Sequence, residues 1–490
     1  MSEKLPLGMV TLFHARRDPD RPMATFGNET RTRGEMEARA SRRARMLAAQ
    51  GVGHGDFVTL TLPNSFEYLE TSMALWKLGA TPQPLSSALP VPELRAFVDL
   101  VRPRLVIGAD PAALPGFAVN PRGLPLDESL SAEPLPSIEC KYWRANASGG
   151  STGLPKIIVT HGATSVDPMA PVMGIRVDGV QLNPGPLYHS GPLNFAAMGW
   201  LTGGHVVDGG RFDPATMLAL IEKHRIDWLY LVPTMMHRIW RLPTEVREGF
   251  DLSSLKTIWH MAAHCPVWLK QHWIDWLGPE CLWELYGSTE AHGCTVINGV
   301  DWLTHKGSVG KVAPTFSLAV LDEQGEACAP HEVGEIYFKP DGGRNATYHY
   351  IGATAKAVGE WETPGDLGYL DEEGYLYIVD RRTDLIVSGG ANVFPAEVEA
   401  AIEAHPDVEC AIVIGLPDDD LGHRVHALVE RKPGASVDAD GLWDHVASLI
   451  VRYKVPRQFE FVTSPLRDEA GKVRRSALRE ERISESAGAK

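Results

Sequence analysis

Apolar residues recur at helical spacing over residues 34–50 (GEMEARASRRARMLAAQ), which predicts an amphipathic helix ended by Gly51. Residues 56–62 (DFVTLTL) switch to a period of two, the mark of a strand. Residues 66–78 (FEYLETSMALWKL) return to the helical period, with Gly79 just past the end. Leu105, Val106 and Ile107 form a short apolar strand, and residues 226–232 (IDWLYLV) a longer one stopped by Pro233. Residues 255–265 (LKTIWHMAAHC) read as a strand running into a small-residue turn, and 282–285 as a strand leading into Tyr286. This alternation of strands and helices predicts α/β layering.

The pattern changes twice further on. Residues 309–339 alternate and are punctuated by glycine (VLDEQGE, GEIYFKP), which predicts a small antiparallel barrel. Gly365-Asp366 and Gly374-Tyr375 mark hairpin-like turns. A polar segment, Asp380-Arg381-Arg382-Thr383-Asp384, then separates the apolar runs YLYIV and LIV. Beyond it come a helix at 395–404, strands at 411–414 and 425–430, and a helix at 441–453, a small α+β unit with its own core. The expected division is a large N-terminal α/β domain, residues 1–380, including the barrel, and a small C-terminal α+β domain, residues 381–490. Residues 183–194 look turn-rich, and 484–490 look disordered.

Composition narrows the function. The 490 residues are 44% hydrophobic and 22% charged, as in ordinary globular chains. A formal net charge of −15 argues against non-specific nucleic-acid binding and against an anionic membrane surface. No run of 18 apolar residues predicts a membrane span, and Arg16, Arg17 and Asp18 interrupt the N-terminus before any signal-like stretch. The six cysteines are scattered and form no CxxC pair, which points to a reducing, cytoplasmic compartment and no zinc site.

The most informative stretch is Ala147 to Val159, ASGGSTGLPKIIV. A loop this poor in Cβ atoms lets backbone N–H groups converge on anionic oxygens, with Ser and Thr hydroxyls and Lys156 adding donors and charge. It is neither a Walker A loop nor G-x-G-x-x-G, and composition alone fits a flexible linker equally well. It resembles the phosphate-binding signature of the adenylate-forming superfamily, which includes acyl-CoA ligases, peptide-synthetase adenylation domains and beetle luciferases. Further matches follow in order along nearly the whole chain.

The resemblance implies a role for each matching residue. Ser148, Gly149, Gly150, Ser151, Thr152, Gly153 and Lys156 would hold the ATP phosphates. Tyr286-Gly287-Ser288-Thr289-Glu290 resembles Y-G-x-T-E, implying Tyr286 on adenine, Thr289 on phosphate and Glu290 on Mg²⁺. Ala262, Ala263 and His264 lie in the loop that would wall the adenine; His264 also reads as a plain surface residue. His189, in Pro186-Leu187-Tyr188-His189, would gate the acid, although a His beside a Tyr is more often structural. Asp366 would accept both ribose hydroxyls, and Arg381 would reach ribose or phosphate. Ser388, Gly389 and Gly390 would offer a bare backbone edge to the CoA arm, or form an ordinary turn. Lys472, in Gly471-Lys472-Val473-Arg474-Arg475, would be the mobile catalytic lysine; otherwise it belongs to a basic tail. Asp380, Thr383, Leu466 and Asp468 depart from the family pattern.

The resemblance implies an acyl-CoA ligase using ATP, Mg²⁺ and CoA, with a mobile C-terminal domain. Its acid is expected to be bulky and hydrophobic (terpenoid, steroid or fatty), in a site walled by Trp259, Met261 and Ala262–Ala263. The thiol is CoA or a carrier-protein arm, and assembly is open, a homodimer included. Two other functions stand beside it: a partial enzyme that only forms thioester from a preformed acyl-adenylate, and a non-catalytic paralogue that binds acyl-AMP or CoA.

Overall fold

The computed structural model describes residues 4–149, 155–162, 164–344, 346–418, 420–468 and 471–488. Its centre is a nine-stranded sheet. Strands Pro22–Phe26, His205–Asp208, Val180–Asn183, Trp228–Leu231, Thr257–His260 and Leu282–Gly287 run parallel across it in that spatial order. Antiparallel strands close both edges, Glu29–Thr32 on one side and Cys294–Asn298 with Lys311–Val312 on the other. Trp228–Leu231 is buried at every position, as expected of a parallel strand covered on both faces. The crossovers include helices Ser190–Leu201, Pro214–His224, Pro233–Trp240 and Val267–Leu277.

A second, four-stranded parallel sheet holds Thr81–Pro84, Phe57–Leu60, Leu105–Ile107 and Val119–Asn120. Helix Arg33–Ala49 packs on helix Phe66–Lys77 and begins with a capping box, Thr32 and Glu35 bonding each other's backbone N–H. A three-stranded antiparallel sheet, Tyr348–Ile351, Pro155–Thr160 and Arg144–Gly149, carries the residues flanking the glycine-rich loop. The expected barrel is a six-stranded antiparallel sheet that includes Phe316–Leu321, Gly334–Pro340, Asp366–Leu370 and Leu376–Arg381.

Strand Leu376–Arg381 still pairs within that sheet, whereas Ile386–Ser388 opens the next one. The C-terminal lobe is a five-stranded sheet of Ala391–Val393, Ile386–Ser388, Gly422–Arg431, Val408–Asp418 and Gln458–Val462. Helices Pro395–Glu403 and Ala439–Leu449 complete its core with Val398, Ile402, Leu442 and Val446. The fold is therefore α/β, with a large N-terminal and a small C-terminal domain.

Two local expectations need correction. Residues 183–194 are not only turns: helix Ser190–Leu201 starts there, and its Gly, Pro and Asn positions masked the helical period. Residues 484–488 belong to helix Arg475–Gly488 rather than to a disordered tail. That helix is held because Leu478 and Ile483 pack against Ile412, Ile414 and Leu428, while Arg482 pairs with Glu460 at 2.7 Å.

Candidate active site

Between the two lobes lies a cleft of about 3390 Å³, too large for a single small-molecule pocket and open as an interlobe gap. Asp468, Gly471 and Lys472 line it from the C-terminal lobe. Asp468 holds Lys472: its carboxylate accepts the backbone N–H of Lys472 at 2.9 Å, and its own N–H donates to the Lys472 carbonyl at 2.9 Å. A side chain at Gly471 would meet Thr234 of the large lobe, so Gly471 is docked against it. The Lys472 ammonium thereby projects into the cleft, close enough to Arg381 and Glu290 to feel their charges. Desolvation by the cleft walls lowers its pKa, Asp468 counters this, and Arg381 adds to it.

His189 faces this lysine from the N-cap of helix Ser190–Leu201. Burial, then the Lys472 charge, pull its pKa down to about 4, so the ring is neutral. Its Nε2 is buried and has no hydrogen-bond partner among the described residues.

Opposite, strand Leu282–Gly287 presents Tyr286 and leads into Ser288, Thr289 and Glu290, all on the cleft wall. The Tyr286 hydroxyl donates to Asp366 Oδ2 at 2.6 Å, and Arg381 Nε lies 3.3 Å from Asp366 Oδ1. Burial raises the Asp366 pKa, against the pull of Arg381 and Tyr286. Each carboxylate oxygen thus has one protein donor and keeps a lone pair for another. Ala262, Ala263 and His264 line the same wall, with Ala262 strained at φ +74°.

Glu290 is held by a residue that sequence reasoning missed. Tyr350 donates to Glu290 Oε1 at 2.5 Å, and Lys156 Nζ lies 3.6 Å from the same oxygen. Burial pushes the Glu290 pKa up, but the Tyr350 hydrogen bond and the Lys156 charge outweigh it and keep the carboxylate ionised. No motif marks Tyr350; only the pairing of its strand with Pro155–Thr160 brings it to Lys156. Two further features escaped the sequence. Lys270 bonds the buried Glu284 at 2.5 Å. Arg241 reaches across to the Glu409 carboxylate and to the Val408 and Glu409 carbonyls of the C-terminal lobe.

Some expected site residues are not gathered here. Gly150, Ser151, Thr152 and Gly153 lie outside the described residues. Ser148 and Gly149 end strand Arg144–Gly149, and Gly149 pairs with Pro155 of the adjacent strand. Gly389 and Gly390 are exposed, away from the cleft lining. Their φ values of +57° and +80° make the two-residue turn between Ser388 and Ala391, a reason for glycine that involves no ligand. Trp259 does not wall the cleft: it is 4% exposed, stacked on Trp283 and hydrogen-bonded to the Met173 carbonyl.

The chain matches the family model of the AMP-binding enzymes over residues 13–142 and 146–345, and that of the AMP-binding enzyme C-terminal domain over 397–472. It belongs to the AMP-binding enzymes. This AMP-binding enzyme is 32% identical over 489 residues to a feruloyl-CoA synthase of Amycolatopsis sp, covering 96% of the chain and 98% of the relative. It is 32% identical over 486 residues to a 2-succinylbenzoate–CoA ligase of Geobacillus kaustophilus, covering 94% and 95%. The o-succinylbenzoate CoA synthetase of Bacillus subtilis, solved with its acyl-adenylate intermediate, superposes with a TM-score of 0.83 at 25% identity, covering 97% and 98%.

An AMP-binding enzyme of this kind uses ATP, Mg²⁺ and CoA, and the residues present fit the metal. Among the described residues there is no cluster of three ligating side chains, but Mg²⁺ keeps most of its shell for phosphate and water. Glu290 supplies one hard, ionised oxygen donor on the cleft wall, and no described side chain bonds its Oε2. Among the described residues no helix is long and apolar enough to cross a membrane.

Proposed function

We propose that this protein is an acyl-CoA ligase that activates a carboxylic acid as its acyl-adenylate and passes the acyl group to CoA. The observation that carries the reading is that Lys472 lines the same cleft as His189, Arg381 and Glu290. The acid's carboxylate oxygen attacks the α-phosphorus of ATP, and pyrophosphate leaves. The Lys472 ammonium bridges the two anions as they meet, a stabilisation worth about 10²–10³ in rate. Lys156 and the glycine-rich loop hold the departing phosphates. Asp366, with Tyr286 and Arg381 fixing its orientation, accepts the ribose hydroxyls. Glu290 would hold Mg²⁺, which when bound neutralises phosphate charge. Neutral His189 stands where the acid enters. In the second step a thiol attacks the acyl carbon and AMP departs.

For that second step the C-terminal lobe turns about residues 380–384, withdrawing Lys472 and presenting Ser388, Gly389 and Gly390 to the CoA arm. The domain boundary belongs in the same segment, where the sheet of Leu376–Arg381 ends. The acid is proposed to be bulky and hydrophobic. An aryl acid is the second reading, favoured by relatives named feruloyl-CoA synthase and indoleacetate–CoA ligase.

The test is ATP–pyrophosphate exchange with Mg²⁺ and a panel of fatty, aryl and polycyclic acids, with Lys472→Ala alongside. Exchange that depends on one acid class and is lost in the variant supports the reading and names the substrate. Absence of exchange with every acid in the panel would overturn it for those classes.

A further inference from the structure

We propose that Tyr350 is a positioning residue that keeps Lys156 and Glu290 apart and separately usable at the triphosphate end of the nucleotide site. The inference rests on the adenylating function proposed above. Tyr350 is half-buried on the cleft wall, and its hydroxyl stands between the two charges. It donates to Glu290 Oε1 at 2.5 Å and accepts from Lys156 Nζ at 3.3 Å. The ammonium also lies over the Tyr350 ring, 4.5 Å from its centroid.

The strand order explains how one residue reaches both. Tyr350 pairs with Ile158 in the antiparallel ladder, which makes Lys156 its diagonal neighbour on the same face. From the same strand region, Thr347 Oγ1 donates to the Glu290 backbone carbonyl at 3.3 Å. Residue 290 is therefore gripped at backbone and side chain by the segment that also touches Lys156.

The consequence is chemical. A lysine and a carboxylate in direct contact pair at about 2.8 Å and spend their charges on each other. Here Nζ and Oε1 are 3.6 Å apart, with the hydroxyl serving both. A lysine ammonium has three donors, so Lys156 keeps N–H groups for anionic oxygen. Glu290 keeps Oε2 for a cation. Without the hydroxyl, Lys156 would close onto Glu290, and each would be less available to its own ligand. Because the proposed roles of Lys156 and Glu290 are at the departing phosphates and their metal, AMP affinity should not change.

The experiment compares wild type with Tyr350→Phe by calorimetric titration of Mg·ATP and of AMP, with no acid present. Tyr350→Phe is expected to weaken Mg·ATP about ten- to a hundredfold, the worth of a hydrogen bond to a charged group, and to leave AMP affinity unchanged. In a Glu290→Gln background the same change should cost several-fold less, because the two residues act as one unit. Equal losses for Mg·ATP and AMP, unchanged Mg·ATP affinity, or full additivity with Glu290→Gln would each overturn the assignment of Tyr350. Should Tyr350→Phe not fold, Glu290→Gln and Lys156→Met in a double-mutant cycle replace it. Additive losses of Mg·ATP affinity are expected of two charges used separately, and strong coupling, the mark of a direct Lys156–Glu290 pair, would overturn the assignment. A wild type that binds neither nucleotide overturns the functional reading itself, which separates that failure from this one.

Discussion

Gly471 stands directly against Thr234: a Cβ on the glycine would come within 2.8 Å of the threonine Oγ1. The same glycine has φ +74°, a conformation that costs a side-chain-bearing residue about 1–2 kcal/mol. Gly471→Ala should therefore lift Gly471, and Lys472 beside it, off the large lobe. We expect pyrophosphate exchange to fall by roughly tenfold or more, at about 1.4 kcal/mol per decade. Thioester formation from a supplied acyl-adenylate should persist. An equal loss of both half-reactions would mean that the glycine matters only for folding.

The closeness of Lys472 to His189 is open to a direct spectroscopic check. Histidine-labelled NMR, with the His189 signal assigned by its loss in His189→Gln, should find that ring titrating at about 4. Lys472→Ala should raise that value, because a neighbouring cation is removed. An unmoved His189 resonance would show that the two are apart in solution.

Several histidines, His14, His189, His205 and His260, have pKa values lowered to about 4, chiefly by burial. Their folded values lie below the unfolded 6.5, so the unfolded chain takes up protons first. Each contributes stability present above pH 6.5 and lost as pH falls through about 4. Asp380 has the opposite sign. Burial pushes its carboxyl up to about 6, although it accepts the N–H groups of Arg381 at 2.7 Å and Ala396 at 2.9 Å. Its contribution is fully present below 3.8 and lost as pH rises through about 6. Asp380→Asn should remove that opposing slope, on the order of 1–3 kcal/mol, and steepen the acid limb of the stability curve. Unfolding midpoints between pH 4 and 7 decide the matter.

Removing the Tyr286 hydroxyl leaves Asp366 with Arg381 as its side-chain partner among the described residues. Tyr286→Phe should weaken AMP and ATP equally, by about tenfold, since the interaction lies at the ribose. A loss confined to ATP would argue against this ribose assignment. The pair therefore tests the opposite end of the nucleotide from Tyr350.

Much of this site could be read from short windows of sequence because each window fixes its own backbone. Tyr286 and Glu290 fall on one strand end and its turn. Lys472 is held by Asp468 four residues before it, whereas Gly389-Gly390 is a two-residue hairpin away from the cleft. The features that escaped depend on strand register or on lobe docking. Tyr350 and Lys156 are 194 residues apart, and nothing local links them. Arg241 meets Glu409 only because the lobes are docked as they are. Asp468, which reads in the sequence only as a departure from the family pattern, is the residue whose carboxylate accepts the Lys472 backbone N–H. Leu466, another departure, is 9% exposed and packs in the core beneath the C-terminal helix.

Cys265 of the large lobe and Cys410 of the small lobe both border the interlobe cleft, at 8% and 9% exposure. Neither is in a disulfide, and burial raises both thiol pKa values, Cys410 to about 12. Both thiols are packed into the core of their own lobe, Cys265 in that of the large lobe and Cys410 beneath the C-terminal helix. They are therefore nearly inert to alkylating reagents, and the rate at which either one is labelled reads the opening of its own core without any knowledge of the acid.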